Sequence, residues 1–209
     1  MQAQWYFDFI SPFAWLQLRK VIALRARITI EPVPILFAAV LDKLGQLGPA
    51  EIPGKRDFTY RFVQWQAAQQ GVPLRFPPAH PFNPLPASRL CVAAGTGWDA
   101  VERIFVHIWQ NGEAADSVDA LRGLAHELGI EDVDTALADD EVKQQLRANT
   151  AQALENGVFG VPTLRLGSEL FWGDDATGMA VQHLDDPQYF DRDEYRRLAA
   201  LPQAVQRRR

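Results

Sequence analysis

The chain has 209 residues, 47% of them apolar and 22% charged, which is enough apolar material to bury a full core and excludes a wholly disordered chain. A formal net charge of −5 leaves no broad cationic face for a phosphate backbone, so nucleic-acid binding is not expected. The single cysteine, Cys91, rules out an internal disulfide, and without a CxxC the chain cannot run dithiol redox chemistry by itself.

In chain order, residues 3 to 10 read as an aromatic-rich strand with no cationic region ahead of it, so neither a signal peptide nor a membrane span is expected and the cytoplasm is the expected compartment. Ser11 then stands as an N-cap and Pro12 at the first helical position, where its missing N–H costs nothing; the helix is predicted to run to about Ala26. Residues 28 to 36, ITIEPVPIL, read as a second strand that ends early or lies at a sheet edge, because Pro32 and Pro34 cannot donate to a ladder on both sides. From 37 to 156 the pattern is helical. Val101, Ile104, Phe105, Ile108 and Trp109 recur at helical spacing, as do Leu121, Leu124, Ala125 and Leu128, and both stripes should face the core. Cys91, among Leu90, Val92 and Ala93, reads as a small buried hydrophobe. Residues 162 to 166 and 169 to 172 form a hairpin around Gly167-Ser168, a helix follows from about 176, and an acidic segment around Asp185, Asp186, Asp191 and Asp193 closes the chain. Arg207, Arg208 and Arg209 read as a solvated tail. The order gives a βαβ unit and a ββα unit with an all-helical insertion between them.

His80, His107, His126 and His183 lack metal-ligand spacing, and Ser11 lies in FISPF rather than in the GxSxG elbow of a serine hydrolase. Gly95-Thr96-Gly97-Trp98-Asp99-Ala100 matches a loose GxGxxA pattern, but helical segments flank it, so a helix–turn–helix connection is predicted. Ser11 has two readings: a simple cap, or a hydroxyl that faces a ligand anion together with backbone N–H groups at the positive end of the helix. Gly157 to Thr163, GVFGVPT, would begin a strand beside the first and bring Val161 close to Ser11; a cis Val161-Pro162 bond would turn the polar groups of Val161 outward to receive an extended peptide.

Three segments, Tyr6 to Phe13 (YFDFISPF), Gly157 to Thr163 and Phe171 to Asp175 (FWGDD), in that order around a helical block, resemble the 2-hydroxychromene-2-carboxylate isomerase family. That family stands with the kappa-class glutathione transferases and the DsbA-like thioredoxin folds. The resemblance implies an α/β, thioredoxin-like domain at 1–36 and 157–209, a helical insertion domain at 37–156, a homodimer, and glutathione as a cofactor that is not consumed. Ser11 matches the family's catalytic serine, which stands where DsbA-like oxidoreductases carry their attacking cysteine. A hydroxyl there can hydrogen-bond an external thiolate but cannot form a disulfide.

By the same resemblance, Val161 and Pro162 hold the cysteinyl backbone of glutathione, and Gly173, Asp174 and Asp175 meet its γ-glutamyl end. Asp174 and Ala176 depart from the common Trp-Gly-Asn-Asp-Arg pattern, which adds an anion and removes a cation. Lys55 and Arg56 match a polar pair that would neutralise the carboxylate of a small aromatic substrate, with Trp65, His80 and Asn83 lining its pocket. The implied activity is isomerisation of 2-hydroxychromene-2-carboxylate to trans-o-hydroxybenzylidenepyruvate, as in naphthalene catabolism. A kappa-like conjugating transferase and a non-catalytic peptide- or thiol-binding protein are the alternatives.

Overall fold

The computed structural model describes residues 3–205; the tail reading of Arg207, Arg208 and Arg209 falls outside the described residues. Strand β1 (Ala3–Phe7) is shorter than the strand predicted to residue 10. Asp8 turns the chain: its carbonyl accepts the Ser11 N–H at 3.0 Å and its carboxylate accepts the Ile10 N–H at 3.1 Å, satisfying locally the groups a longer strand would have paired. Helix α1 (Pro12–Leu24) begins where predicted. Ser11 has extended backbone angles, its Oγ accepts the Ala14 N–H, and Pro12 fills the first turn.

Strand β2 (Ile30–Pro34) pairs parallel with β1 and forms one edge of a four-stranded sheet of order β2-β1-β3-β4. An edge strand has one unpaired side, which is where Pro32 and Pro34 are tolerated. Strands β3 (Thr163–Leu166) and β4 (Glu169–Trp172) form the predicted hairpin, with Gly167 at φ +63° in its turn; β3 runs antiparallel to β1.

Between β2 and β3 lie α2 (Phe37–Leu44), α3 (Lys55–Gln70), α4 (Leu85–Ala93), α5 (Trp98–Phe105), α6 (Val118–Glu127), α7 (Val133–Ala138) and α8 (Asp140–Glu155), with α5 continuing as a π-helix to Gln110. The GxGxxA stretch is the turn from α4 into α5, where Gly95 takes φ +79°. After β4 come α9 (Thr177–Asp185) and α10 (Asp193–Ala199). The acidic segment gives no sign of this last helix, which is exposed and laced by Arg196–Asp193 and Arg197–Glu194 ion pairs one turn apart.

As a central strand, β1 is buried on both faces. Trp5 and Phe7, with Phe9 beyond the strand, enter the main core; Trp5 stacks on Phe7 at 4.5 Å and Phe9 meets Phe105 at 4.7 Å. Tyr6 points the other way, into a cluster with Val33, Ile35, Val40, Val158 and Val161. Both predicted helical stripes face inward, and Cys91 lies in the same main core, where burial pushes its thiol pKa up. At about 1.5–3 kcal/mol for each large side chain fully buried, this aromatic layer contributes heavily to joining β1 to the helices of the insertion. Among the described residues no helix is long and apolar enough to cross a membrane.

Candidate active site

The turn from β1 into α1 presents Ser11 at 7% exposure. Its Oγ accepts the Ala14 N–H at 3.3 Å, and among the described residues no acceptor takes its own O–H. The N–H of Phe13 is likewise unspent, and the first turn of α1 holds no acidic residue. Two donors at the positive end of a helix favour an anion there.

The second half of the chain meets this turn because Tyr6 pairs with Thr163 in antiparallel register, which places residues 7–11 and 161–162 at the same end of the two strands. The Val161-Pro162 bond is cis, and the Pro162 carbonyl accepts the Gly173 N–H at 2.8 Å. Neither the N–H nor the C=O of Val161 has a partner among the described residues. Val161 opens on a cleft of about 270 Å³ whose other walls include Phe13, Phe62, Trp172, Asp174 and Asp175. Ser11 is not itself a lining residue; it stands two positions before Phe13. Gly160 lets Trp172 approach closely, since a Cβ there would meet the indole nitrogen at 2.5 Å.

The loop after β4 is fixed by Gln17, a buried residue of α1 that no sequence motif marks. It accepts the Trp5 indole N–H at 2.7 Å and donates to the Gly173 carbonyl at 2.9 Å and to Thr177 Oγ1 at 3.1 Å. Asp174, 2% exposed, turns inward. Its Oδ2 accepts from Gln70 at 2.7 Å, and Lys20 Nζ lies 2.7 Å from Oδ1, close enough for an ion pair though not aligned as a hydrogen bond. The extra anion of this chain is therefore answered by a cation from α1. Asp175 remains exposed at the cleft.

His80 and Arg56, expected at the substrate pocket, do not line this cleft; they come together with Tyr60, a residue the sequence did not single out. His80 Nε2 lies 2.9 Å from the Ile10 carbonyl and must therefore carry the proton it donates. The Tyr60 hydroxyl is 2.7 Å from both Nδ1 and the carbonyl oxygen of His80, and Arg56 donates to that carbonyl at 2.9 Å. Burial lowers the His80 pKa, against the pull of the Ile10 carbonyl and with help from Arg56, so the ring is neutral. Lys55 is exposed at the start of α3 and Asn83 uses its Oδ1 to accept the Leu85 N–H at 3.1 Å; neither lines the cleft. Trp65 is 57% exposed on the outer side of α3, while Thr59, Phe62 and Gln66 of the same helix face the cleft. Gln66 Oε1 is buried there without a partner. The i, i+3, i+7 spacing of Thr59, Phe62 and Gln66 was the available signal for that face.

Residues 3–185 match the family model of the DSBA-like thioredoxin domain. The chain is 31% identical to a 2-hydroxychromene-2-carboxylate isomerase of Pseudomonas putida, over 84% of this chain and 90% of that protein. It is 26% identical to glutathione S-transferase kappa 2 of Caenorhabditis elegans, over 78% of this chain and 80% of that one. A solved 2-hydroxychromene-2-carboxylate isomerase superposes with a TM-score of 0.78 at 26% identity, covering 97% of this chain and 100% of the other. The chain therefore belongs to the DsbA-like thioredoxin family and, within it, to the 2-hydroxychromene-2-carboxylate isomerase family that stands beside the kappa-class glutathione transferases.

Proposed function

We propose that this protein is a glutathione-dependent isomerase of 2-hydroxychromene-2-carboxylate, with Ser11 holding the glutathione sulfur as its anion. The observation that carries the reading is the unspent Ser11 O–H at the start of α1 together with the unpaired main chain of Val161 at the same end of the sheet. These residues fit the tripeptide. Val161 offers one donor and one acceptor to an extended backbone, as in the addition of a strand, and the exposed carboxylate of Asp175 suits an ammonium. Bound glutathione would supply a thiolate that adds to a conjugated carbon and leaves again, opening a double bond to rotation.

The protein's own part is to hold the reacting groups. A hydrogen bond to the charged sulfur and the helix N-terminus together contribute about 2–4 kcal/mol, enough to bring a thiol pKa from near 8.5 to about neutrality. Phe13, Phe62 and Trp172 give the cleft an apolar wall that suits a planar aromatic substrate.

Titrating bound glutathione by its thiolate absorbance tests the reading. The wild type should show an apparent pKa below that of the free thiol, and Ser11→Ala should raise it by about one unit or more. Equal values in the two proteins would remove Ser11 from the chemistry. The likeness to a kappa-class transferase supports a second reading, permanent conjugation. Product analysis separates the two, because only conjugation consumes glutathione.

A further inference from the structure

The turn that carries Ser11 is gripped by side chains from several parts of the molecule. Trp109 Nε1 donates to the Phe9 carbonyl at 2.8 Å, from the π-helical end of α5. Asp8 Oδ1 accepts the Ile10 N–H at 3.1 Å, and His80 Nε2 donates to the Ile10 carbonyl at 2.9 Å. The other oxygen of Asp8 accepts the Phe37 N–H at 2.8 Å, tying the turn to the start of α2. Ile10, the residue before Ser11, is thus held at both of its main-chain polar groups.

We propose that Asp8 and His80 are positioning residues for Ser11, clamping Ile10 from its two sides so that the serine hydroxyl is held in one place. The inference rests on the reading of Ser11 as the thiolate-holding residue. It also connects the helical insertion to the site, since His80 and Phe37 both belong to that insertion.

The clamp has a defined protonation state. Both oxygens of Asp8 accept from N–H donors, and protonation would turn one oxygen into a donor facing another donor. Burial pushes the Asp8 pKa up to about 6, against the two backbone hydrogen bonds, so the acid is ionised at neutral pH and loses that state just below it. The titratable groups touching the turn are Asp8 and His80, with Tyr60 and Arg56 behind His80; among the described residues no ion pair reaches Asp8. Neutral His80 supplies the Nε2–H the clamp requires.

Amide hydrogen exchange at Ile10 and Phe37, read by NMR about one unit above the Asp8 pKa, tests the clamp without glutathione. There, with Asp8 ionised, protection in the wild type should exceed that in Asp8→Asn about ten-fold at both amides. In turnover, Asp8→Asn and His80→Ala should lower kcat about ten-fold with little change in the KM for glutathione, whereas His80→Gln, whose amide can still donate to Ile10, should recover most of it. Wild-type protection no higher than that of Asp8→Asn, or His80→Ala turning over as fast as His80→Gln, overturns the proposal. If Asp8→Asn does not fold, the two His80 variants, compared by exchange at Ile10 and by turnover, decide it. If the wild type binds no glutathione, the functional reading fails while exchange still settles the clamp.

Discussion

Replacing Asp8 by Asn should change how stability depends on pH in a direction set by burial. The native carboxyl has a pKa raised from 3.8 to about 6, so the folded state holds its proton more tightly than the unfolded chain. The stabilisation belonging to protonated Asp8 is therefore fully present below pH 3.8 and is lost as pH rises through about 6. A shift of about two units corresponds to about 3 kcal/mol, most of it appearing between about pH 4 and pH 7. Asn cannot titrate, so its variant lacks this slope while the other carboxylates, common to both proteins, cancel in the difference. Urea denaturation of both proteins across this range should show the stability of Asp8→Asn relative to wild type rising by about 2–3 kcal/mol from the acid to the neutral end. A constant offset, set by the amide group meeting one of the two N–H donors at about 1–3 kcal/mol, lowers the whole curve without tilting it. A difference that stays flat with pH would refute the reasoning, because it would mean that Asp8 titrates alike in the folded and unfolded chains.

Gln17→Leu removes three hydrogen bonds and orphans the buried Trp5 indole N–H, and should lower stability by about 2–4 kcal/mol in chemical denaturation. Lys20→Met leaves Asp174 buried with its charge unanswered; because Lys20 is 36% exposed, the expected loss is about 1–3 kcal/mol, and Asp174→Asn in the same chain should return most of it. Cys91 should resist thiol reagents in the folded protein and react only on unfolding, and Cys91→Ala should keep glutathione-dependent turnover, since the buried thiol takes no part in it.

The elements that were legible are those whose causes lie within a few residues. Ser11 and Pro12 start a helix because a side-chain acceptor and a missing N–H both suit its first turn. Pro32 and Pro34 marked an edge strand, and the aliphatic and aromatic spacing around Val101 and Leu121 marked buried faces. Helix α10 escaped because ion pairs one turn apart, rather than an apolar stripe, support it. Trp65 and Gln66 show the limit on α3: neighbours about 100° apart around a helix, and only the placement of that helix shows that Gln66 lines the cleft.

The sequence alone therefore determined the run of strands and helices, the Ser-Pro junction and the family segments, since local sterics, capping and periodicity encode them. Only the tertiary structure decided which polar groups meet. Gln17 reaches Gly173, Lys20 reaches Asp174, His80 reaches Ile10 and Asp8 reaches Phe37 across separations of 29 to 156 residues, and no local pattern records such distances. Those contacts arise when the packing of the aromatic layer around β1 brings the two halves and the insertion together, and they are what hold the Ser11 hydroxyl and the Val161 backbone at one end of the sheet.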